Sequence, residues 1–139
     1  MSDNGDQFSK FHELCDNKGP TLSLFHVKNG NKVGIFTPLS WDTNSGWDKK
    51  DMEAFIFNLN KNTKYKKLKN DSSIYCNSNY GPTTAKFGNN YTNSMKSIKV
   101  WCAGINEYYE NGSGILPNNG EDPKEYEIIE TEVFKIIIE

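Results

Sequence analysis

The sequence predicts a mainly β domain with flanking short helices, built as a two-sheet antiparallel β-sandwich. Three observations predict it. Short apolar segments recur along the 139 residues with turn residues between them, the pattern of a sandwich. Two of these segments are joined across Asn29-Gly30, a pair that tolerates positive φ and so closes a hairpin. There is no internal repeat, no coiled-coil heptad and no linker dividing the chain. That length suits one domain with one core.

Taken in order, residues 1–7 are polar and expected to be disordered. Ser9 is a candidate cap for a short helix over Lys10–Cys15, with Phe11 and Leu14 three apart on its apolar face. Asp16-Asn-Lys-Gly-Pro ends it, since Pro20 disfavours helix at the residue before it. Thr21–Val27 and Lys32–Thr37 read as the two hairpin strands. Gly34 inside the second implies close approach by a neighbouring side chain or backbone. Pro38 to Lys50 reads as a loop carrying Trp41 and Trp47. These tryptophans either cover a core edge or form a partner-binding hot spot. Ala54–Leu59 is the clearest core strand. Tyr65–Leu68, Ser73–Cys76, Ile98–Ala103 and Tyr126–Ile138 complete the strand set. Asn77 to Asn93 reads as a long loop, and long loops in small domains are often binding surfaces. Residues 106–122 are polar and glycine-rich, and are expected to be a flexible loop.

Composition narrows the function classes. Hydrophobic residues make up 35% and aromatic residues 13%, so large rings must supply much of the buried area. The net charge of -2 argues against a general nucleic-acid binder. Every cationic side chain is Lys, and the bidentate fork of Arg is absent. Lys64, Lys66, Lys67 and Lys69 read as a solvated face or as a phosphate or anionic-lipid patch. No apolar run reaches the length of a membrane span, so no membrane insertion is expected. The three cysteines lack metal-ligand spacing and do not read as a disulfide framework, which points to reduced thiols in the cytoplasm.

No phosphate-binding, HExxH, CxxC or GxSxG motif occurs. No metal and no cofactor is expected. His12 and Cys15 stand three apart on the first helix. The pair reads as a buried thiol beside a hydrogen-bonded histidine, as a redox pair, or as half of a zinc site. Cys76 and Cys102 sit in apolar contexts that favour burial. Glu130 and Glu132 share one face of a strand, where two like charges need water, a cation or a basic partner.

Several stretches, in order, resemble the TLDc domain family. Phe8-Ser-Lys-Phe-His-Glu-Leu-Cys-Asp-Asn-Lys-Gly-Pro-Thr-Leu resembles the family's opening segment. Val33-Gly-Ile-Phe-Thr with Trp41, Ala54-Phe-Ile-Phe-Asn-Leu, Ser73-Ile-Tyr-Cys-Asn, Tyr80-Gly-Pro-Thr and Ile129-Glu-Thr-Glu-Val-Phe resemble its later segments. Gly34-Ile stands where the family has Gly-Gly, residues 106–122 carry no family motif, and the family's usual N-terminal helix and strand are not matched. The resemblance implies a two-sheet sandwich of TLDc type, protection against oxidative stress and, in several members, binding to the vacuolar-type proton pump. It ties no catalytic mechanism to the chain. The reading is therefore a monomeric protein-interaction module. Its expected contacts are Glu130, Glu132, Trp41, Trp47, Gly81 and Pro82. The alternative is a thiol antioxidant or weak peroxidase using an exposed cysteine, with Cys15 and His12 as the redox candidates.

Overall fold

The computed structural model describes residues 4–89, 95–117 and 120–137. Helix α1 (Asn4–Cys15) leads into strands β1 (Thr21–Val27) and β2 (Lys32–Thr37). These pair antiparallel from Thr21↔Thr37 to His26↔Lys32, and Gly30 turns the hairpin at φ +97°. That conformation carries no Cβ penalty in glycine. Strands β3 (Phe55–Asn58) and β4 (Thr63–Lys66) extend the sheet beyond β2. The remaining strands are β5 (Thr83–Thr84), β6 (Phe87–Gly88), β7 (Ser97–Val100) and the long β8 (Lys124–Lys135), with a short helix α2 (Cys102–Tyr108) before β8.

The hydrogen bonding does not divide into two sheets. All eight strands form one antiparallel sheet in the order β4-β3-β2-β1-β8-β7-β6-β5. Strand β8 joins its halves. Residues 124–127 pair with β7, and residues 128–135 pair with β1. At the handover the register slips between His26 and Val27, leaving Ile129 as the extra residue of a bulge. Bulges bend and twist a strand. The consequence is visible in the core. Strands β1 and β6 are three steps apart, roughly 14 Å in a flat sheet. Yet the Phe25 and Phe87 rings meet edge to face with centroids 5.9 Å apart. The sheet therefore folds over itself along β8. Its two halves enclose a core that takes Phe25, Val33, Ile35 and Ile56 from one side and Phe87, Ile98 and Val100 from the other.

Helix α1 seals a smaller cluster of Phe11, Trp41, Ile74 and Cys76. It begins at Asn4, so Ser9 lies inside it and not at its cap. Its inward stripe is Phe8, Phe11 and His12, at helical spacing, while Leu14 is 61% exposed. The expected pairing of Phe11 with Leu14 is thus corrected. A stripe starting one turn earlier, at Phe8, rotates Leu14 out.

Further segments differ from expectation because non-local contacts override local pattern. Residues 73–76 form no strand, and Cys76 makes only an isolated bridge to Gly46. The loop expected over residues 77–93 contains the β5–β6 hairpin, although residues 90–94 lie outside the described set. The strand expected to continue to Ala103 stops at Val100. Residues 102–108 turn into α2 instead, with a kink inside it at Ala103 and Gly104, the latter at φ +93°. The polar segment 106–122 delivers Tyr109, Ile115 and Leu116 to the main core. Its few large apolar residues serve as anchors despite the glycines around them. Among the described residues, no helix is long and apolar enough to cross a membrane.

Candidate interaction surface

Side chains alternate across a strand, so each strand of the β4–β3–β2–β1–β8 half offers one set inward and one outward. The inward set is the core just described. The outward set comes into line across the register. Phe55 pairs with Phe36, Phe36 with Leu22, and Leu22 with Phe134, forming one row over four strands. The next row runs Phe57, Gly34, Leu24, Glu132, and the third places Lys32, His26 and Glu130 side by side.

The outward face of an antiparallel sheet normally alternates to polar residues where it meets water. Here the first row is wholly apolar. Phe36 and Phe55 stack with centroids 5.1 Å apart, and Phe134 is 46% exposed. Leu24 and Phe57 are buried, yet neither belongs to a core cluster. They are covered by neighbours on the outer face itself. Gly34 makes this possible, because a Cβ there would overlap the Phe57 ring and the Ser23 carbonyl. A groove of about 270 Å³ runs along this face, lined by Leu22, Leu24, Phe55, Phe57, Leu59 and Lys64. The Lys64 ammonium sits 4.7 Å above the Phe55 ring, giving one margin a positive charge. The other margin is acidic, with Glu130 exposed and Glu132 in contact with His26 at 2.6 Å. A contiguous apolar patch with charged margins is the signature of a protein-binding face.

A second concavity, of about 420 Å³, lies at the other end of the fold. Trp47, Tyr75, Tyr80, Trp101, Tyr108 and Lys86 are among its lining residues. Trp47 packs on Tyr75 at 4.9 Å and Tyr75 on Tyr80 at 4.6 Å.

The family model for the TLDc domain matches residues 1–137. The chain belongs to the TLDc domain family. That family is associated with oxidative-stress resistance. Comparison with curated proteins and with solved structures returned no significant match.

Within this TLDc domain the residues singled out from sequence separate into surface and interior. Glu130, Glu132 and Trp47 face solvent, Trp47 at 42% exposure. Trp41 is fully buried, with its indole N–H donating to Thr21 Oγ1 at 3.0 Å and its ring edge-on to Phe11. It covers the core and offers no surface. Gly81 and Pro82 are buried as well, and a Cβ at Gly81 would press on Asn89 and Met95. Their place in the fold is packing.

Of the three readings of His12 and Cys15, the geometry matches a half-buried thiol on the same helix as a hydrogen-bonded histidine. One ring nitrogen of the buried His12 meets Asp16 at 2.8 Å, and the other meets the carbonyls of Asn77 and Tyr80 at 2.8 and 3.0 Å. His12 thus ties α1 to the loop over residues 77–80, and no position on the ring is left for the thiol. Burial, and then the Asp16 carboxylate, push the Cys15 thiol up. Burial likewise pushes the Cys76 thiol up, against hydrogen bonds that lower it. A reactive thiolate needs the opposite direction. All three cysteines are free thiols.

The lysine cluster also divides. Lys64 and Lys69 lie over the Phe55 and Tyr108 rings, whereas Lys67 is buried with its ammonium donating to the Asp71 carbonyl at 3.0 Å. Burial lowers the Lys67 pKa, with Asp51 and Asp71 opposing. Sequence reasoning missed the apolar outer row. Its only trace is that Leu22, Leu24, Phe55 and Phe57 sit at alternate positions facing away from an equally apolar inner set. Strands apolar on both faces are the pattern of doubly covered sheets.

Proposed function

We propose that this TLDc domain is a protein-interaction module of oxidative-stress resistance. It docks through the outer face of its sheet, and its partner is the vacuolar-type proton pump. The apolar row Phe55–Phe36–Leu22–Phe134 carries the docking reading. It leaves aromatic surface facing water on a sheet whose other side already holds the core. The acidic margin at Glu130 and Glu132 selects a partner with basic residues beside an apolar ridge. The pump enters through what the family resemblance implies. On this proposal the module acts as a monomer in the cytoplasm, and its folded-over sheet serves as the two-layered sandwich of the family.

The test is capture of pump subunits from a eukaryotic lysate by the purified domain and by Glu130→Lys, Glu132→Lys and Phe134→Ser variants. Circular dichroism confirms that each variant is folded. Charge reversal at the margin and the loss of Phe134 are expected to reduce capture by at least about tenfold, since an interface anchor carries roughly 2 kcal/mol. A folded native domain that captures no pump subunit would remove the pump as partner. Equal capture by all three variants would remove the outer face as the contact.

A further inference from the structure

The third row of the outer face, whose acids also form the docking margin, carries a chemistry beyond docking. His26 lies opposite Glu130 in the β1–β8 ladder, and Glu132 projects from the same face two residues on. A ring nitrogen of His26 and one carboxylate oxygen from each glutamate lie within 4.8 Å of one another. His26 Nε2 already stands 2.6 Å from Glu132 Oε1. Tetrahedral ligands held about 2 Å from a zinc ion stand roughly 3.3 Å apart. The three donors therefore need only small rotamer changes to close on one ion, on a backbone held by strand pairing.

The donor set is one imidazole and two carboxylates. That mixture suits zinc, manganese or ferrous iron better than calcium or magnesium, which take oxygen ligands alone. The glutamates repel one another on a shared face. Among the described residues the only ion pair reaching either is the one with His26. Lys32 stands across from His26 on β2 and makes no ion pair with them. His26 and Glu132 are partly shielded while Glu130 is open, which leaves room for water at a fourth position.

We propose that His26, Glu130 and Glu132 form a binding site for a divalent transition-metal ion, with zinc as the type case. The site does not depend on the docking reading, and it is tested on the isolated domain without any partner. Zinc chloride is titrated into the purified protein by calorimetry, with magnesium chloride as the control. One zinc ion per chain and no magnesium uptake are expected. His26→Ala and Glu132→Gln, checked for folding by circular dichroism, are each expected to weaken zinc binding by at least about tenfold. Even groups that only support metal ligands carry that much. Glu127→Gln, outside the trio, is expected to bind as the native chain does. Substitution with cobalt(II) reports the donors. Absorption of nitrogen and oxygen ligation supports the site, whereas intense thiolate charge-transfer bands would place the ion on cysteines and overturn it. Absence of saturable zinc binding, or equal binding by native, His26→Ala and Glu132→Gln chains, would also overturn it.

Discussion

Replacing Trp41 by phenylalanine tests whether this tryptophan holds the fold or meets a partner. The side chain is fully buried, its N–H donates to Thr21 Oγ1 at 3.0 Å, and its ring packs edge-on to Phe11 at 5.7 Å. Phenylalanine keeps a six-membered ring in place and removes two carbons and the donor. The carbons are worth about 0.8 kcal/mol each as buried apolar groups. The hydrogen bond is worth about 1 kcal/mol. The expected loss is about 2.5 kcal/mol. A domain of 139 residues unfolds with an entropy of about 0.3 kcal/mol/K near its midpoint, so Tm should fall by about 9 °C. Trp47 provides the contrast. It is 42% exposed and rests on Tyr75, so Trp47→Phe should move Tm by no more than about 2 °C. Both shifts are read by thermal unfolding followed by circular dichroism. A Trp41→Phe chain melting within about 2 °C of the native one would refute the burial argument. So would a Trp47→Phe chain losing as much as the Trp41 variant.

Gly34→Ala should lower stability by about 1–3 kcal/mol, because the new methyl group overlaps the Phe57 ring and the Ser23 carbonyl. An unchanged urea midpoint would show that the outer rows can separate without cost. Asp42→Asn should destabilise the domain by about 1–2 kcal/mol at neutral pH. Burial alone would raise the Asp42 pKa, but the Asn44 N–H, the Ser45 hydroxyl and N–H, and Lys49 together hold it well below 3.8. A folded pKa below the unfolded one gives stability that is present above pH 3.8 and lost as pH falls toward the folded value. The native and Asp42→Asn chains should therefore converge in stability as pH drops below that point. A gap that persists unchanged into strong acid would show that the carboxylate charge is not the source.

The first hairpin was legible in the sequence because its information is local. Thr21–Val27 and Lys32–Thr37 are short apolar-rich runs, and the turn at Asn29-Gly30 joins them as a hairpin. The same locality made Ala54–Leu59 readable as a strand, although only Ile56 of its large apolar residues reaches the main core and Leu59 is 53% exposed, and the ordered motifs made the family readable. Gly34 was legible as a point of close approach, since a glycine inside a strand signals a missing Cβ. Only the tertiary structure decided the rest. The pairing of β8 with β1 joins residues more than a hundred positions apart, and no local pattern specifies that register. It alone brings His26 to Glu130 and Glu132 and puts Phe134 at the end of the Phe55–Phe36–Leu22 row. It also decides which tryptophan is interior. Trp41 and Trp47 sit in the same polar loop, and what separates them is a buried acceptor, Thr21, within reach of one indole and a solvent-facing tyrosine beneath the other.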